Sequence, residues 1–337
     1  MNLKTSVPAD IHVLCIGNAI VDLLTQTDEE TLARLGVQKG SMSIVDYEKI
    51  NLLYDQLGPG IETSGGSAAN TAAGLASLGA KCAYIGKVRD DNIGKIFSDD
   101  IRAVGTIYDT SPSIEGPSTA RCLICVTPDA ERTMQTYLGA CSDLGPNDID
   151  DRLISRSQIT YLEGYLWDRE QAKQAFLKAA KLSHQAGRLT ALTLSDSFCV
   201  DRHRDSFHTL IRDHIDILFA NEDEIISLYE VDNFDSAVRL ARKDCKISAL
   251  TRSEKGSVVI SGDDVMVVPS VNVSNVVDTT GAGDQYAAGF LYGYTSGCDL
   301  TACAEIGGIA AAEVISHFGP RPESSLSELV MQRTTAN

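Results

Sequence analysis

No apolar run in the chain approaches the roughly 18–20 residues that span a membrane. The segment Met1 to Asp10 has no basic stretch followed by an apolar one, so no secretion signal is expected. Positive charge is scarce. Lys and Arg number 29 against 46 Asp and Glu, a formal net charge of −17. Such a balance argues against a nucleic-acid surface, and it opposes a polyanionic substrate unless a local anion cradle and Mg²⁺ overcome it. The nine cysteines are odd in number and scattered. They form no disulfide framework, which fits a reducing cytoplasm. The one CxxC pair, Cys122 and Cys125, has no second pair or histidine cluster beside it. It sits in a strand-like run, where residues three apart face opposite sides, so neither zinc nor redox chemistry is expected of it. None of the six histidines has metal-ligand spacing with another; His203 and His208 are five apart in a charged, helix-like region. There is no Walker A sequence, no Ser-His-Asp or Cys-His arrangement, no Gly-x-Gly-x-x-Gly after the first strand, no repeat and no interdomain linker.

What is present is 337 residues, 43% hydrophobic, enough for one large α/β domain or a domain with an appendage. Ile11 to Gly17 reads as a buried first strand, followed by Asn18 and Asp22. Met42 to Val45 reads as a strand. Ser64-Gly65-Gly66-Ser67-Ala68-Ala69-Asn70 opens a small-residue helix that ends at Gly79. Thr119 to Val126 and Arg132 to Leu138 read as two strands around a Pro128-Asp129-Ala130 turn, an antiparallel piece that could form a lid over a site. From Ile159 a βα alternation resumes, with strands ending at Ser195-Asp196, at Asn221-Glu222-Asp223-Glu224 and at Thr251. Val271 to Val277 alternates and reads as extended strand before Asp278-Thr279-Thr280-Gly281-Ala282-Gly283-Asp284.

That last run carries the chemistry. Backbone N–H groups at a glycine turn that opens a helix form an anion cradle. A carboxylate inside such a cradle would repel phosphate if it were only structural. It suits a base that removes a proton from a hydroxyl attacking phosphorus. Asp284 is therefore the candidate catalytic base, with Gly281, Ala282 and Gly283 as the anion hole. The plainer reading is a helix N-cap with turn glycines. Asn18, Asp22, Gly65, Gly66, Asn70, Asn221, Glu224, Thr251, Gly256 and the 281–284 turn all fall where strands are expected to end. Parallel strand ends share one edge, so these residues can meet in one crevice. Asp22 and Asn70 can bind vicinal hydroxyls; Asn221 and Glu224 suit Mg²⁺ held largely through water.

With these motifs in order, the chain resembles the ribokinase-like (PfkB) carbohydrate and nucleoside kinases, from about Ile11 to Pro322. The resemblance rests on Gly65-Gly66-Ser67-Ala68-Ala69-Asn70 through Gly79 and Gly86, on Asn221 and Glu224, and on Asp278 to Asp284. It implies an α/β fold: a three-layer α/β/α sandwich with a mostly parallel central sheet and a small β-sheet lid. The expected division is a core of residues 10–35, 48–112 and 140–330 and a lid of residues 36–47 and 113–139. It also implies transfer of a phosphoryl group from ATP, with Mg²⁺, to a primary hydroxyl. Asp284 then acts as base. Asn18, Asp22, Gly65, Gly66 and Asn70 bind the acceptor. Asn221, Glu224, Thr251, Ser253, Gly256, Thr279, Gly281 and Gly283 serve ATP, and Asn221 and Glu224 the metal.

Within the family, Gly17-Asn18-Ala19-Ile20-Val21-Asp22, Glu131-Arg132-Thr133 and Tyr161-Leu162-Glu163-Gly164-Tyr165 are similar to the adenosine kinase branch. That similarity makes Tyr165 a candidate to stack on a purine, against the plainer reading of an aromatic filling core. It makes Arg132 a phosphate contact, against a solvated lid residue. The acceptor implied is the 5′-hydroxyl of adenosine, as in purine salvage, with a ribose or fructose kinase as the alternative. A catalytically inactive sensor on the same fold is the reading from another class. Relatives carry a monovalent-cation (K⁺) site, which extends here as an option near Asp278 and the loop before Gly319, and a homodimer through the lid stays open. One departure stands out: Ser253 occupies a position where many relatives have glycine, which freely adopts backbone angles that serine resists.

Overall fold

The computed structural model describes residues 8–57, 60–129 and 131–334. Ala130 of the expected turn, and residues 1–7 of the segment expected to carry no secretion signal, lie outside the described residues. Fourteen strands are described, in chain order β1 (Ile11–Ile16), β2 (Ile20–Gln26), β3 (Met42–Ile44), β4 (Ile61–Gly65), β5 (Cys82–Ile85), β6 (Ile107–Tyr108), β7 (Ala120–Val126), β8 (Arg132–Tyr137), β9 (Ser157–Glu163), β10 (Leu189–Thr193), β11 (Ile217–Asn221), β12 (Ile247–Thr251), β13 (Ser257–Ser261) and β14 (Asp264–Val268).

Nine strands form one sheet in the order β14-β13-β12-β11-β10-β9-β1-β5-β6. The pairs from β6 through β12 are parallel, and β13 and β14 close one edge as an antiparallel hairpin. A strand covered on both faces must be apolar on both, which is why β1 reads as a nearly continuous apolar run. Leu14 and Ile16 enter one core with Phe176, Phe207 and Ile211; Val13 and Cys15 enter the other with Ala69, Phe97 and Phe290. Helices thus cover both faces, and the expected three-layer sandwich is what the chain forms. Two helices of the second layer pack closely: Ser67–Ser77 is nearly all Ala, Gly, Ser and Thr and buries Ala68 through Leu75, and Ala282–Thr295 mixes Ala and Gly with large aromatics and buries Gln285 through Leu291.

The second sheet has the order β3-β8-β7-β2-β4. The expected lid division is corrected here: β2 and β4, assigned from sequence to the core, pair with β7 and with each other in the small sheet. The chain leaves the large sheet within the three residues after β1. Each strand's own alternation is satisfied equally well in either sheet, so the sequence pattern does not reveal the partner. One face of this sheet presents Ile20, Leu24, Cys122 and Ile124, and the other buries Leu23, Leu123 and Cys125 under Leu32, Ile50 and Leu53. Cys122 and Cys125 therefore face opposite sides, as their spacing requires. All nine cysteines are free.

The 271–277 stretch is a second correction. It is extended but joins no sheet. Val271 packs on Ile306 and Ile309, Val276 is exposed, and Val277 donates its N–H to the Ile315 carbonyl. Its alternation comes from lying along a helical layer. No helix among the described residues is long and apolar enough to cross a membrane.

Candidate active site

The chain runs from β1 outward to β5 and β6 on one side and to β9 through β12 on the other. Beyond the carboxyl ends of β1 and β9 a crevice must open, because the connections depart in opposite directions. Asn18 follows β1 and Glu163 ends β9, and the two bridge that crevice. Asn18 donates its side-chain amide to Glu163 Oε1 at 2.7 Å and its backbone N–H to both carboxylate oxygens at 3.3 Å. Ala68 N–H donates to Glu163 Oε2 at 2.9 Å. Glu163 thus joins the first strand to the start of the Ser67–Ser77 helix. Burial pushes its carboxyl up to about 7, against the pull of the Ala68 and Asn18 donors.

The helix start itself depends on glycine. Gly66 has φ +97°, and a Cβ there would lie 2.1 Å from the Asn18 carbonyl oxygen. Ser67 and Asn70 then reach the sequence-derived base: Ser67 Oγ donates to Asp284 Oδ1 at 2.6 Å and Asn70 Nδ2 to Asp284 Oδ2 at 3.0 Å. Burial raises the Asp284 carboxyl above its ordinary value, opposed by these two donors and by the charge of Arg132. Asn70 is 4% exposed, and its Oδ1 has no hydrogen-bond partner. A buried acceptor left open in this way fits a hydroxyl donor.

Asp22 also belongs to this group, but not where it was expected. It is the third residue of β2, inside the small sheet, and not in a loop beyond β1. On a pleated strand it shares a face with Ile20 and Leu24. Its carboxylate lies where a Cβ on Gly65 would be, so the two residues are in close approach. Burial pushes the Asp22 carboxyl up to about 7, with Asp284 and Glu163 adding to the rise and Arg321 opposing it.

The anion loop is set by Asp278, fully buried, which accepts from Thr280 N at 2.9 Å, Thr280 Oγ1 at 2.6 Å and Gly319 N at 3.0 Å. Gly281 follows with φ +79° at the N-cap of the Ala282–Thr295 helix. The first N–H groups of a helix have no partner within it. Ala282 N is partly engaged, donating to the Thr279 carbonyl at 3.3 Å, whereas Gly283 is exposed and Thr279 stands beside it, also exposed. Arg132 Nε approaches Asp278 Oδ1 to 4.0 Å, so this lid residue faces the anion loop.

Asn221 and Glu224 form a capping box. Asn221 Oδ1 accepts from Glu224 N at 2.8 Å; Asn221 N and Nδ2 donate to the two Glu224 oxygens at 3.0 and 2.7 Å. Both oxygens are thus engaged, and no group of three or more His, Cys, Asp or Glu among the described residues could hold a metal directly. The pair suits a cation bound through water and phosphate, and not an all-protein cage. Burial pushes the Glu224 carboxyl up to about 7, and Asp196, Asp223 and Asp284 add to it.

Thr251 sits beside Asn221 in register at the end of β12, and no side-chain hydrogen bond is described between Thr251 or Ser253 and the residues above. Ser253 takes φ +50°, keeping the left-handed shape that glycine would adopt. That conformation costs an L-residue roughly 1–2 kcal/mol. Ser253→Gly should therefore stabilise the fold by about 0.5–1 kcal/mol, after allowing for the freedom glycine adds to the unfolded chain. Urea unfolding measures this, and a loss of stability would show that the serine is not strained. Tyr165 packs on the large core, donates its hydroxyl to the Ser195 carbonyl at 3.3 Å, and leaves its ring half-buried.

Three carboxyls, Asp22, Glu163 and Glu224, are thus lifted to about 7 from 3.8, 4.5 and 4.5. The folded state holds their protons more tightly than the unfolded chain does. The resulting stabilisation is complete below about pH 4 and is lost as pH rises through about 7. Paired carboxylates such as Asp129, held down to about 2 by Lys39, act in the opposite sense only at lower pH. The melting temperature of the ligand-free protein should accordingly be higher at pH 6 than at pH 8; a flat or rising profile over that interval would contradict these burial effects.

Sequence reasoning assigned no role to Glu163, Ser67, Arg321 or Gln285. Glu163 and Ser67 lay within quoted motifs, but nothing local showed which distant atoms they meet.

Comparisons with known proteins identify the family and the fold. The profile described as pfkB family carbohydrate kinase matches residues 60–326. The solved structure of adenosine kinase from Sinorhizobium meliloti is 52% identical with a TM-score of 0.91, covering 95% of this chain and 98% of that one. A probable sugar kinase from Rhizobium etli CFN 42 is 49% identical with a TM-score of 0.92, covering 96% and 98%. The curated 5-dehydro-2-deoxygluconokinase of Geobacillus kaustophilus is 28% identical over 268 residues, 75% of this chain and 78% of that protein.

Proposed function

The chain belongs to the pfkB family of carbohydrate kinases, and on that premise we propose that it transfers the γ-phosphoryl group of ATP to the 5′-hydroxyl of adenosine, giving AMP and ADP. Kinases of this family are phosphotransferases acting on hydroxyl groups; they use ATP, generally with Mg²⁺. The observation that carries the choice of adenosine is the 52% identity, over 95% of the chain, with the Sinorhizobium meliloti adenosine kinase.

The chemistry asks for little covalent work and much positioning. Asn70 Oδ1, buried and open, and the Asp22 carboxylate bind vicinal hydroxyls of the acceptor. The half-buried ring of Tyr165 offers a surface for the base. Asp284, held by Ser67 and Asn70, accepts the proton of the 5′-hydroxyl as its oxygen attacks the γ-phosphorus and the bond to the β-phosphate oxygen breaks. The proton then passes from Asp284 to solvent. The 281–284 turn and Arg132 take up the charge on the phosphoryl oxygens. Mg²⁺, when bound, neutralises phosphate charge; Asn221 and Glu224 are the residues that would hold it, through water. The small sheet closes over the crevice and excludes water as a competing acceptor.

A second reading, a sugar acceptor, draws support from the Rhizobium etli and Geobacillus kaustophilus similarities. ADP release with ATP and Mg²⁺ separates the two. Selective turnover of adenosine over ribose, fructose and 5-dehydro-2-deoxygluconate supports the nucleoside reading, and turnover of a sugar alone overturns it. Two subsidiary proposals are tested alongside. K⁺ near Asp278 predicts higher turnover in K⁺ than in its absence, and equal rates would remove it. A homodimer through the lid predicts twice the chain mass in sedimentation, and a monomer would remove that.

A further inference from the structure

Arg321 stands between Pro320 and Pro322, in the turn that follows the Leu300–Val314 helix, with 14% of its side chain exposed. A guanidinium so placed is tolerated only when paired. Nη1 donates to Asp100 Oδ2 at 2.7 Å, and Nη2 donates to Ser64 Oγ. Asp100 Oδ2 in turn accepts from Ser64 N at 2.8 Å, Ser64 Oγ at 2.5 Å and Thr63 Oγ1 at 3.3 Å. Four donors converge on one carboxylate oxygen, which ties three segments together. Two of those segments are the helix Asn92–Ala103, which carries Asp100, and the end of β4. From β4 the chain passes directly through Gly65 and Gly66 to Ser67, which holds Asp284.

The same turn is fixed on its other side to the anion loop. Gly319 N donates to Asp278 Oδ2 at 3.0 Å, and the Pro320 carbonyl accepts from Gln285 Nε2 at 3.0 Å. Gln285 also donates to the Asn70 carbonyl at 3.0 Å. Pro320 lies so close to Gly281 that a Cβ there would be 2.6 Å from its carbonyl oxygen. The turn therefore touches the root of the small sheet through Arg321 and the anion loop through Gly319 and Pro320.

We propose that Arg321 is a positioning residue for phosphoryl transfer. Its guanidinium fixes the root of the lid at Ser64 to the turn that backs the anion loop, so the geometry of the lid and that of Asp284 change together. The inference rests on the kinase reading of the site and not on which acceptor it takes. A guanidinium that merely filled space would stabilise its surroundings without linking the two segments.

The test compares Arg321→Gln, Arg321→Lys and Asp100→Asn with the unmodified chain, by amide hydrogen exchange and by steady-state kinetics. Arg321→Gln is expected to speed exchange at residues 63–66 and at residues 281–285 together. It should also lower kcat by about 10–100-fold, the scale on which a misplacement near 1 Å acts, with the KM for ATP within about threefold. Arg321→Lys should restore part of the rate, since it keeps the charge but not the two-pronged contact.

A pH readout is independent of these. The groups facing Asp22 are Arg321 from the turn, Asp284 from its helix, Glu163 from β9, Cys122 from β7 and the Gly66 amide. Removing the one cation among them should move the acidic limb of kcat/KM for the acceptor to higher pH. Should Arg321→Gln fail to fold, Asp100→Asn keeps the volume and is expected to give the same paired exchange signature in weaker form. Faster exchange confined to residues 319–322, or an unmoved limb with unchanged kcat, would overturn the proposal. The exchange readout needs no acceptor, so a wrong choice of acceptor and a wrong role for Arg321 fail separately.

Discussion

Replacing Asp284 with asparagine is expected to lower kcat by about 10²–10⁴-fold, the range that a positioned general base supplies. Binding of ATP and acceptor should stay within about threefold, since the amide keeps the size of the carboxyl and the site keeps its other contacts. Ser67 Oγ can still donate to the new carbonyl oxygen, and Asn70 can turn so that Oδ1 accepts from the new amide while Nδ2 donates to the acceptor hydroxyl in its place. The site therefore keeps its shape and loses its proton acceptor. ADP release under saturating conditions, beside calorimetric binding, separates these effects; an unchanged kcat would remove Asp284 from the role of base. Two secondary signs follow. In the unmodified chain the acidic limb of kcat should lie above the ordinary carboxylate value of 3.8, because burial raises Asp284, and the limb of kcat should vanish in the variant while that of kcat/KM set by Asp22 stays. The variant should also melt higher, because one charge is removed from a cluster that includes Asp22, Glu163 and Glu224.

The second large effect comes from comparing two alanines in one turn. Gly281→Ala must place a methyl group against Pro320 in a left-handed conformation. It should cost roughly 1–3 kcal/mol of stability, and turnover with it. Gly283→Ala meets nothing within 4 Å. Alanine is about 0.8–1 kcal/mol better than glycine in a helix, so this variant should be as stable as the unmodified chain or more so. Yet its methyl would stand where phosphate must approach the backbone, and turnover should fall by about 10–100-fold, up to the cost of losing one oxyanion donor. Melting temperature read beside kcat and the KM for ATP distinguishes the pair. Full activity in Gly283→Ala would mean that phosphate does not approach that amide.

These outcomes bear on how far the sequence alone could go. The first strand was legible because burial on both faces forces an apolar run, and the helix start at 281–284 because a glycine turn running into small residues marks one. The lid was legible only in part. β2 and β4 were not read as strands; their residues were assigned to the core, and the local pattern says nothing of the small-sheet neighbours they pair with. The valines of 271–277 misled in the opposite way, since contact with a helical layer imitates the pattern of a strand. The hairpin strand β14 was not anticipated; it is an edge strand with Val265 and Val267 exposed, and so carries a weak pattern. Asn18 and Glu163 are 145 residues apart, and Arg321 and Ser64 are 257. Each of these pairs is made by strand order, which no local spacing records. Ser253 was read as an obstacle, whereas the backbone there keeps the left-handed shape with serine in place.

The Ser67–Ser77 helix buries Ala68 through Leu75 without a break, and the Ala282–Thr295 helix buries Gln285 through Leu291. Gly289, a turn and a half beyond Asp284, touches Gly307 of the next helix so closely that a Cβ would be 2.6 Å from the Ile306 carbonyl. Asp284, the proposed proton acceptor, thus stands at the start of a helix packed tightly against its neighbour, so a substitution that shifts this helix should disturb the fold as well as the site. Asp22 and Arg132 stand instead on a small sheet with apolar clusters of its own. On the proposed reading, phosphate is handled by the packed interior and the alcohol by the lid, so substitutions on the small sheet should change acceptor preference more than substitutions in the two helices do.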